Sequence, residues 1–193
     1  MTEFIREKIR NSIDLKTSLL SDEGLLQTVS DITGEIVKCY KNGGKVLWCG
    51  NGGSAADSQH LAAELSGRFY YDRPPLSSEA LHVNTSYITA VANDYSYDII
   101  YSRLVEASGK KGDVLIGLST SGNSANVVKA LEKAREMGIV TVGFTGRGGG
   151  KMAPLCDHLV CIPSTDTPRI QECHMLLGHS ICEMVEMRLF PKN

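Results

Sequence analysis

Two short turns in this chain combine glycine with hydroxyl side chains, and each turn directly follows an apolar run. Ser-Thr-Ser-Gly-Asn-Ser at 119–124 follows the run 113–118, and Gly-Asn-Gly-Gly-Ser at 50–54 follows the run 45–49. A helix-like run begins after each turn, so hydroxyls, free backbone N–H groups and the positive end of a helix dipole face one point. Such a point favours a dianionic phosphate. Neither turn ends in the Gly-Lys-Ser/Thr of a nucleotide P-loop, which favours a small phosphorylated ligand over a nucleoside triphosphate. The alternative is that the glycines only allow tight packing between strand and helix.

His60 and Glu64 stand four residues apart on the helix-like run that follows the first turn. This spacing places them about one helical turn apart on the same face. Two such side chains suit one metal ion, whereas the ordinary interpretation of the same pair on a surface helix is a solvated, inert contact. The position just after a phosphate-type turn favours the functional interpretation.

The elements that must hold these residues alternate between strand-like and helix-like runs. The predicted strands are 45–49, 79–83, 113–118, 139–144 and 157–162, and the predicted helices between and after them include 54–67, 96–108, 124–137 and 168–189. Two further helices, 3–20 and 22–40, precede the first strand. This order predicts an α/β protein with a parallel sheet covered on both faces. Its ligand is expected at the carboxyl ends of the strands, near the switch in strand order.

Composition restricts the function classes. The chain has 193 residues, 42% of them hydrophobic and 22% charged, and a formal net charge of -2. This balance argues against nucleic acid and against polyanionic membranes as main partners. Because we find neither a membrane-length apolar run nor the apolar core of a secretion signal, we expect a cytoplasmic protein. The six cysteines form no Cys-x-x-Cys pair and are expected to be reduced, mostly buried thiols.

Four motifs together carry a family resemblance: the glycine turn at 50–54, Gln59-His60-x-x-x-Glu64-Leu65, the serine turn at 119–124, and Arg169-Ile170-Gln171-Glu172 followed by His179. From about residue 3 to residue 190 the chain resembles the sugar-isomerase (SIS) proteins, and more narrowly the phosphoheptose isomerases. The resemblance implies a three-layer α/β/α sandwich of SIS type with a five-stranded parallel sheet. We expect one SIS domain over 1–193, with a helical pair at 1–42 for oligomerisation and an α/β core at 43–193.

The resemblance also implies an activity. The family converts sedoheptulose 7-phosphate to D-glycero-D-manno-heptose 7-phosphate through an enediol, the first step toward the ADP- and GDP-heptose precursors of bacterial surface polysaccharides such as lipopolysaccharide. Its members are homotetramers with active sites at subunit interfaces, and many bind zinc. By this resemblance Glu64 is the base and His179 the acid or oxyanion partner. One zinc ion per subunit is expected on His60, Glu64, Gln171 and His179.

Substrate contacts follow from the same resemblance. The phosphate is expected on the serine turn, and the sugar hydroxyls on the glycine turn and on an Asn-Asp pair. Arg68 is equally compatible with a phosphate contact and a surface ion pair, and Asp94 with a proton carrier and a loop cap. The expected contacts are Asn51, Gly52, Gly53, Ser54, Glu64, Arg68, Asn93, Asp94, Ser119, Thr120, Ser121, Ser124 and Gln171.

Spacing leaves two questions open on the last helix. Gln171 and His179 are eight residues apart, which on a straight helix is ~12 Å along the axis and ~80° around it. Ligands of one zinc ion lie only about 2 Å from it. We therefore expect either that a neighbouring subunit supplies one of the pair or that the helix is broken between them. Spacing alone favours His174 over His179 as the partner of Gln171, and the resemblance favours His179.

Two loops are not expected to contribute to the chemistry, and two other functions are compatible with the same motifs. The basic, glycine-rich turn at 146–151 is expected to be a mobile loop, and the loop around Pro74-Pro75 an exposed crossing without chemistry. One alternative function is a non-catalytic SIS adaptor that binds the replication initiator, or a phosphosugar sensor. That adaptor lacks a carboxylate at the position of Glu64 and an imidazole at the position of His179, and this chain has both. The other alternative is isomerisation of a different ketose phosphate.

Overall fold

The computed structural model describes residues 1–192, which form seven helices and five strands in addition to two short 3₁₀ turns. Two helices come first, α1 (Thr2–Leu19) and α2 (Glu23–Lys41). The strands are β1 (Val46–Gly50), β2 (Ser78–Ala80), β3 (Val114–Ser119), β4 (Val140–Thr145) and β5 (His158–Cys161). The remaining helices are α3 (Gly53–Ser66), α4 (Thr85–Asp94), α5 (Ile100–Ser108), α6 (Ala125–Glu136) and α7 (Thr167–Leu189).

The five strands form one sheet in the order β2-β1-β3-β4-β5, with every neighbouring pair parallel. Every residue of β1 and β3 is buried, as expected for strands covered on both faces. The order switches direction at β1, where the connections change from one side of the sheet to the other. Gly50, which ends β1, pairs with Leu118, the residue before the end of β3. The glycine and serine turns therefore leave the sheet side by side, at the switch point where such sheets bind ligands.

Two apolar layers cover the sheet. One core cluster joins the sheet to α2, α3 and α7 and contains the fully buried Trp48, and the other joins it to α5 and α6. The prediction of a three-layer α/β/α sandwich with a five-stranded parallel sheet is confirmed. All six cysteines are free and four of them are buried. Burial raises the pKa of Cys182 to about 12, which keeps this thiol protonated and unreactive.

Helix α4 is the one complete helix that the sequence analysis did not predict. The predicted strand 79–83 is shorter than expected, because β2 ends at Ala80 and the chain turns toward Asn84. The Asn84 side chain accepts a hydrogen bond from the Tyr87 N–H at 3.1 Å and so caps the helix. Ile88 and Val91 then pack on the α5–α6 side of the sheet.

Helix α1 lies on the outside of the molecule. Leu19 is its one buried residue, and Phe4, Ile5, Ile9 and Ile13 are all more than half exposed. It is held to α7 by polar contacts, such as the Ser12 hydroxyl donating to Glu172 at 2.7 Å. Within residues 1–192 we find no helix with both the length and the apolar character that a bilayer crossing requires.

Candidate active site

A cavity of about 300 Å³ lies between the two polar turns. Its lining combines residues of both turns with two residues of α7: Asn51, Gly53, Ser54, Leu118, Ser119, Thr120, Ser121, Ser124, Thr167 and Gln171. The Ser119 hydroxyl is 2.9 Å from that of Ser124 and 3.4 Å from that of Ser121. Three hydroxyls thus converge beside the N-terminus of α6, which begins after Ser124. A phosphate group matches this set of donors.

The serine turn is held from behind by the glycine-rich segment 146–151. Gly122 has a φ of +66°, and a Cβ atom there would collide with the Gly149 carbonyl, so both its conformation and its surroundings require glycine. The Gly146 N–H donates to the Thr120 carbonyl, and the Lys151 N–H donates to the Asn123 side chain, both at 3.0 Å. The expectation of a mobile loop at 146–151 is therefore wrong, because these contacts join it to the serine turn.

The glycine turn is positioned by a different set of contacts. Gly52 has a φ of +55° and precedes the first residue of α3. A Cβ atom on Gly53 would lie 2.5 Å from Nε2 of Gln171, so a larger residue here would displace the Gln171 amide from its observed position. Asn51 was expected to meet sugar hydroxyls, but its amide is hydrogen-bonded to the side chain of Asn126.

His60, Glu64 and His179 come together on the facing sides of α3 and α7. One ligand atom from each lies within 4.8 Å of the others. Nε2 of His60 is 2.9 Å from Nε2 of His179 and 3.1 Å from Oε1 of Glu64. The His60 side chain is 52% exposed and that of Glu64 24%, so the group is open to solvent on one side. The Phe69 ring lies against His179, with the ring centroids 5.9 Å apart.

This group fits a metal ion. Two nitrogens and one carboxylate oxygen form the ligand set of catalytic zinc sites that keep one position open. Ligand atoms about 2 Å from a tetrahedral zinc ion lie roughly 3.3 Å apart. The separations of 2.9 and 3.1 Å are close to this value. Glu64 and His179 are only within 4.8 Å of each other, so their side chains must move together to share one ion.

His174 and His179 have separate environments. His174 is fully buried, its Nε2–H donates to the Thr145 carbonyl at 3.1 Å, and its ring packs edge-on against Phe144. Burial lowers the pKa of His174 to about 4, and the hydrogen bond to Thr145 only partly opposes this. His174 is thus a core residue on the far side of α7 from the metal-type group. The geometry brings His179 to that group, as the resemblance implied, and not His174 as spacing alone favoured.

Gln171 lies toward the N-terminal end of α7, two helical turns before His179. It lines the cavity of the serine turn and also a neighbouring cavity of about 500 Å³ that His179 lines. Helix α7 is unbroken from Thr167 to Leu189, so the alternative of a broken helix is wrong. Within one chain Gln171 stands between the hydroxyl cluster and the group of His60, Glu64 and His179.

Three residues expected to contact the substrate do not line the cavity between the turns. Arg68 is exposed just beyond the end of α3 and does not line the cavity between the turns. Asn93 and Asp94 are exposed on the last turn of α4, where the Asn93 amide donates to the Asp94 carboxylate at 2.9 Å. They do not line that cavity either. Both residues belong to α4, which the sequence pattern does not predict, so they are helical and not loop residues.

Three polar residues beside the site escaped the sequence analysis. Asn126 is 2% exposed on an otherwise apolar face of α6, and Glu186 is 1% exposed among apolar residues of α7. A polar residue at a helix position that periodicity assigns to the core was the available signal for both. The third residue, Arg73, is 8% exposed when its backbone is counted with its side chain. The expectation of an exposed loop without chemistry around Pro74-Pro75 is wrong at this position, because Arg73 turns inward to Glu186.

Known proteins resemble this chain in sequence and in fold. The SIS domain family model matches residues 12–146. The phosphoheptose isomerase of Aneurinibacillus thermoaerophilus is 50% identical over 190 residues, which cover 98% of this chain and 96% of that protein. The solved phosphoheptose isomerase of Neisseria gonorrhoeae is 41% identical with a TM-score of 0.90, and that of Francisella tularensis is 33% identical with a TM-score of 0.92. Each alignment covers 96% of this chain and 98% of the solved one.

Proposed function

Since the chain belongs to the phosphoheptose isomerase family of SIS-domain proteins, we propose that it interconverts sedoheptulose 7-phosphate and D-glycero-D-manno-heptose 7-phosphate. The observation that carries the proposal is that one chain holds both a hydroxyl cluster around Ser119 and a group of two imidazoles and a carboxylate. The first suits the phosphate end of an open-chain sugar phosphate. The second suits its carbonyl end, and Gln171 borders the cavities of both.

The reaction moves one proton between adjacent carbons without net gain or loss of atoms. Glu64 takes the proton from C1 of the ketose while the oxygen on C2 receives a proton from His179, which gives the enediol. The hydroxyl on C1 then returns a proton to His179 as Glu64 delivers its proton to C2, which gives the aldose. The hydroxyls of Ser119, Ser121 and Ser124 hold the phosphate, so that C1 and C2 stay within reach of Glu64 and His179.

His60, Glu64 and His179 are the residues that would hold the zinc ion, with Gln171 as the fourth proposed ligand. A zinc ion held by these residues would polarise the carbonyl oxygen and would stabilise the negative charge that develops on it. The unbroken α7 separates Gln171 from His179 by ~12 Å along its axis. We therefore propose that the Gln171 amide reaches this group from a neighbouring subunit.

A homotetramer with active sites at subunit interfaces is part of the same proposal. Support comes from the apolar side chains of α1, of which Phe4 is 56% and Ile9 54% exposed. These side chains have no cover within the described chain, and burying them against other copies would remove apolar surface from water. We also propose that the enzyme works in the cytoplasm, on precursors of surface polysaccharide.

The test is a direct assay with purified protein, sedoheptulose 7-phosphate and zinc, following formation of the aldose 7-phosphate. We expect turnover with the wild-type chain and its loss in Glu64→Gln, with phosphosugar binding largely retained. Glu106→Gln, at an exposed position of α5, is the matched control and should keep full activity. If the wild-type protein bound the phosphosugar without any turnover, that result would contradict the proposal and would favour the adaptor or sensor function. The names of the relatives argue against that alternative.

A further inference from the structure

Arg73 and Glu186 form an ion pair inside the molecule, next to the proposed active site. Arg73 Nε donates to Oε1 of Glu186 at 3.1 Å, and both side chains are 1% exposed. Arg73 lies in the loop that leads from α3 to β2, and Glu186 lies on α7 two helical turns beyond His179. Burying two charges costs free energy unless their remaining hydrogen-bonding groups are also satisfied.

The rest of the Arg73 guanidinium binds the end of α3. Nη2 donates to the Glu64 carbonyl at 2.8 Å, and Nη1 donates to the carbonyls of Leu65 at 2.7 Å and Gly67 at 3.1 Å. These belong to the last turn of α3 and its cap, where carbonyl groups lack partners within the helix. A positive charge here also complements the helix dipole. One side chain thus fixes the backbone of Glu64, the proposed base.

Glu186 binds the loop that follows α3. Its two carboxylate oxygens accept hydrogen bonds from the backbone N–H groups of Phe69 at 2.9 Å and Tyr70 at 2.8 Å. Burial raises the pKa of Glu186, but these N–H groups and the Arg73 guanidinium outweigh it, so its pKa lies below the usual range. The anchored Phe69 places its ring against the imidazole of His179.

We propose that Arg73 and Glu186 are positioning residues that hold Glu64 and His179 in register across α3 and α7. Arg73 acts through the backbone of Glu64, and Glu186 acts through Phe69 on the His179 ring. The inference rests on the proposed function for its effect on catalysis, whereas the placement of His179 that it describes does not depend on any activity.

The hydrogen bonds made by Arg73 and Glu186 explain why charged residues, and not apolar ones, occupy these two buried positions. A buried apolar pair of similar volume is often as stabilising as a buried ion pair. Apolar side chains offer no directional bonds, however, and six hydrogen bonds radiate from this pair to the backbone of one short segment. Their loss would leave the spacing between Glu64 and His179 to apolar packing alone.

The test compares Glu186→Gln with two further variants. The glutamine keeps the size of the side chain, but its NH2 group cannot accept a hydrogen bond. It would face N–H donors of Phe69, Tyr70 or Arg73 that the carboxylate accepts in the wild type. Val185→Ala is the control, because it removes buried volume from the neighbouring position without touching the pair. Phe69→Leu leaves the pair intact and removes the ring that contacts His179, so it tests the same link if Glu186→Gln does not fold.

The measurements are kcat, KM and the imidazole Cε1–H NMR signal of His179 in the metal-free protein, assigned with His179→Gln. For Glu186→Gln and Phe69→Leu we expect a shifted His179 signal and a kcat reduced about tenfold, with KM for the phosphosugar unchanged within about twofold. Val185→Ala should change neither. Loss of the Phe69 ring current alone shifts the His179 signal, so Phe69→Leu is judged by kcat. If the His179 signal of Glu186→Gln matches that of wild type, or if Phe69→Leu keeps the wild-type kcat, the positioning role is wrong. An inactive wild type would instead overturn the proposed function, and the NMR comparison would still decide the role of the pair.

Discussion

Asn51 and Asn126 exchange two side-chain hydrogen bonds across the crevice of the sheet. Nδ2 of Asn51 donates to Oδ1 of Asn126 at 2.8 Å, and Nδ2 of Asn126 donates to Oδ1 of Asn51 at 2.9 Å. The Tyr97 hydroxyl also donates to Oδ1 of Asn51. Since Asn51 belongs to the glycine turn and Asn126 to the start of α6, this pair joins the two turns that border the proposed phosphate cavity.

Replacing Asn126 by alanine should therefore affect both stability and substrate binding. The change removes two hydrogen bonds from the half-buried Asn51, each typically worth about 0.5–1.5 kcal/mol net, and leaves the one from Tyr97. We expect KM for the phosphosugar to rise several-fold because the turns lose their link. Denaturant unfolding and steady-state kinetics check this, with Val127→Ala as a buried neighbour on the same helix. Equal KM values for Asn126→Ala and Val127→Ala would mean that the Asn51–Asn126 pair stabilises the fold without affecting substrate binding.

Removing two hydroxyls of the serine turn should weaken phosphate binding. Ser119→Ala combined with Ser121→Ala takes away two of the three converging donors. Each lost hydrogen bond to a charged group is worth about 1.5–3 kcal/mol, so KM for the phosphorylated ketose should rise at least tenfold. Titration calorimetry with the sugar phosphate gives an independent value. Ser180→Ala, at a half-buried position of α7 where the hydroxyl donates to the Leu176 carbonyl, is the control. An unchanged KM in the double variant would place the phosphate elsewhere.

Substituting His60 tests the metal-type group without relying on turnover. His60→Gln removes the imidazole that lies between Glu64 and His179. Loss of residues that merely orient a zinc ligand typically costs about 10–100-fold in affinity, so loss of a ligand should cost at least that much. Competition with a chromophoric chelator measures the zinc affinity. His158→Gln, in β5, should retain wild-type affinity, and equal affinities in both variants would show that zinc binds at a different site.

Because the His174 imidazole is buried, we expect the free energy of unfolding to depend on pH. Its pKa is lowered to about 4 in the folded protein by burial, against about 6.5 in an unfolded chain. The unfolded state therefore binds the proton more readily between these values. The stability that the neutral imidazole contributes is complete above about pH 6.5 and is lost as the pH falls toward 4, up to about 3 kcal/mol.

Urea unfolding between pH 4.5 and 7.5 measures this dependence. His174→Gln keeps an N–H donor for the Thr145 carbonyl but does not titrate, so its unfolding free energy should fall less steeply with decreasing pH than that of wild type. Identical slopes for the two proteins would mean that His174 does not contribute to the acid sensitivity.

Much of the fold was predictable because its strands are unambiguous. Apolar runs at 46–49 and 114–118, followed by Gly50 and Ser119 respectively, predict buried parallel strands with a turn at their carboxyl ends. Helix α4 was not predictable in the same way, since threonine, tyrosine, isoleucine and valine have modest helix propensity. Packing of Ile88 and Val91 on the core determines that helix. The Asn84 cap was its available sequence signal.

For the candidate site, relationships within one helix were predictable from the sequence, whereas contacts between distant segments were not. The spacing of His60 and Glu64 on one helix is a local property, and the structure has them in contact as expected. Which histidine of α7 faces them depends on how that helix is rotated against α3, which spacing within α7 does not determine. Likewise, Arg73 and Glu186 are 113 residues apart in sequence, and only the packed fold brings their charges together.

Helix α7 supplies Gln171, His179 and Glu186, and it follows all five strands in chain order. During synthesis on a ribosome, the sheet and the serine turn therefore emerge before α7 does. A nascent chain at that stage already holds the hydroxyl cluster for an anion but lacks half of the proposed proton-transfer machinery. The residues that face the phosphate are thus mostly made before those that move the proton, and both the phosphate cavity and the proton-transfer group are completed only when the last helix docks.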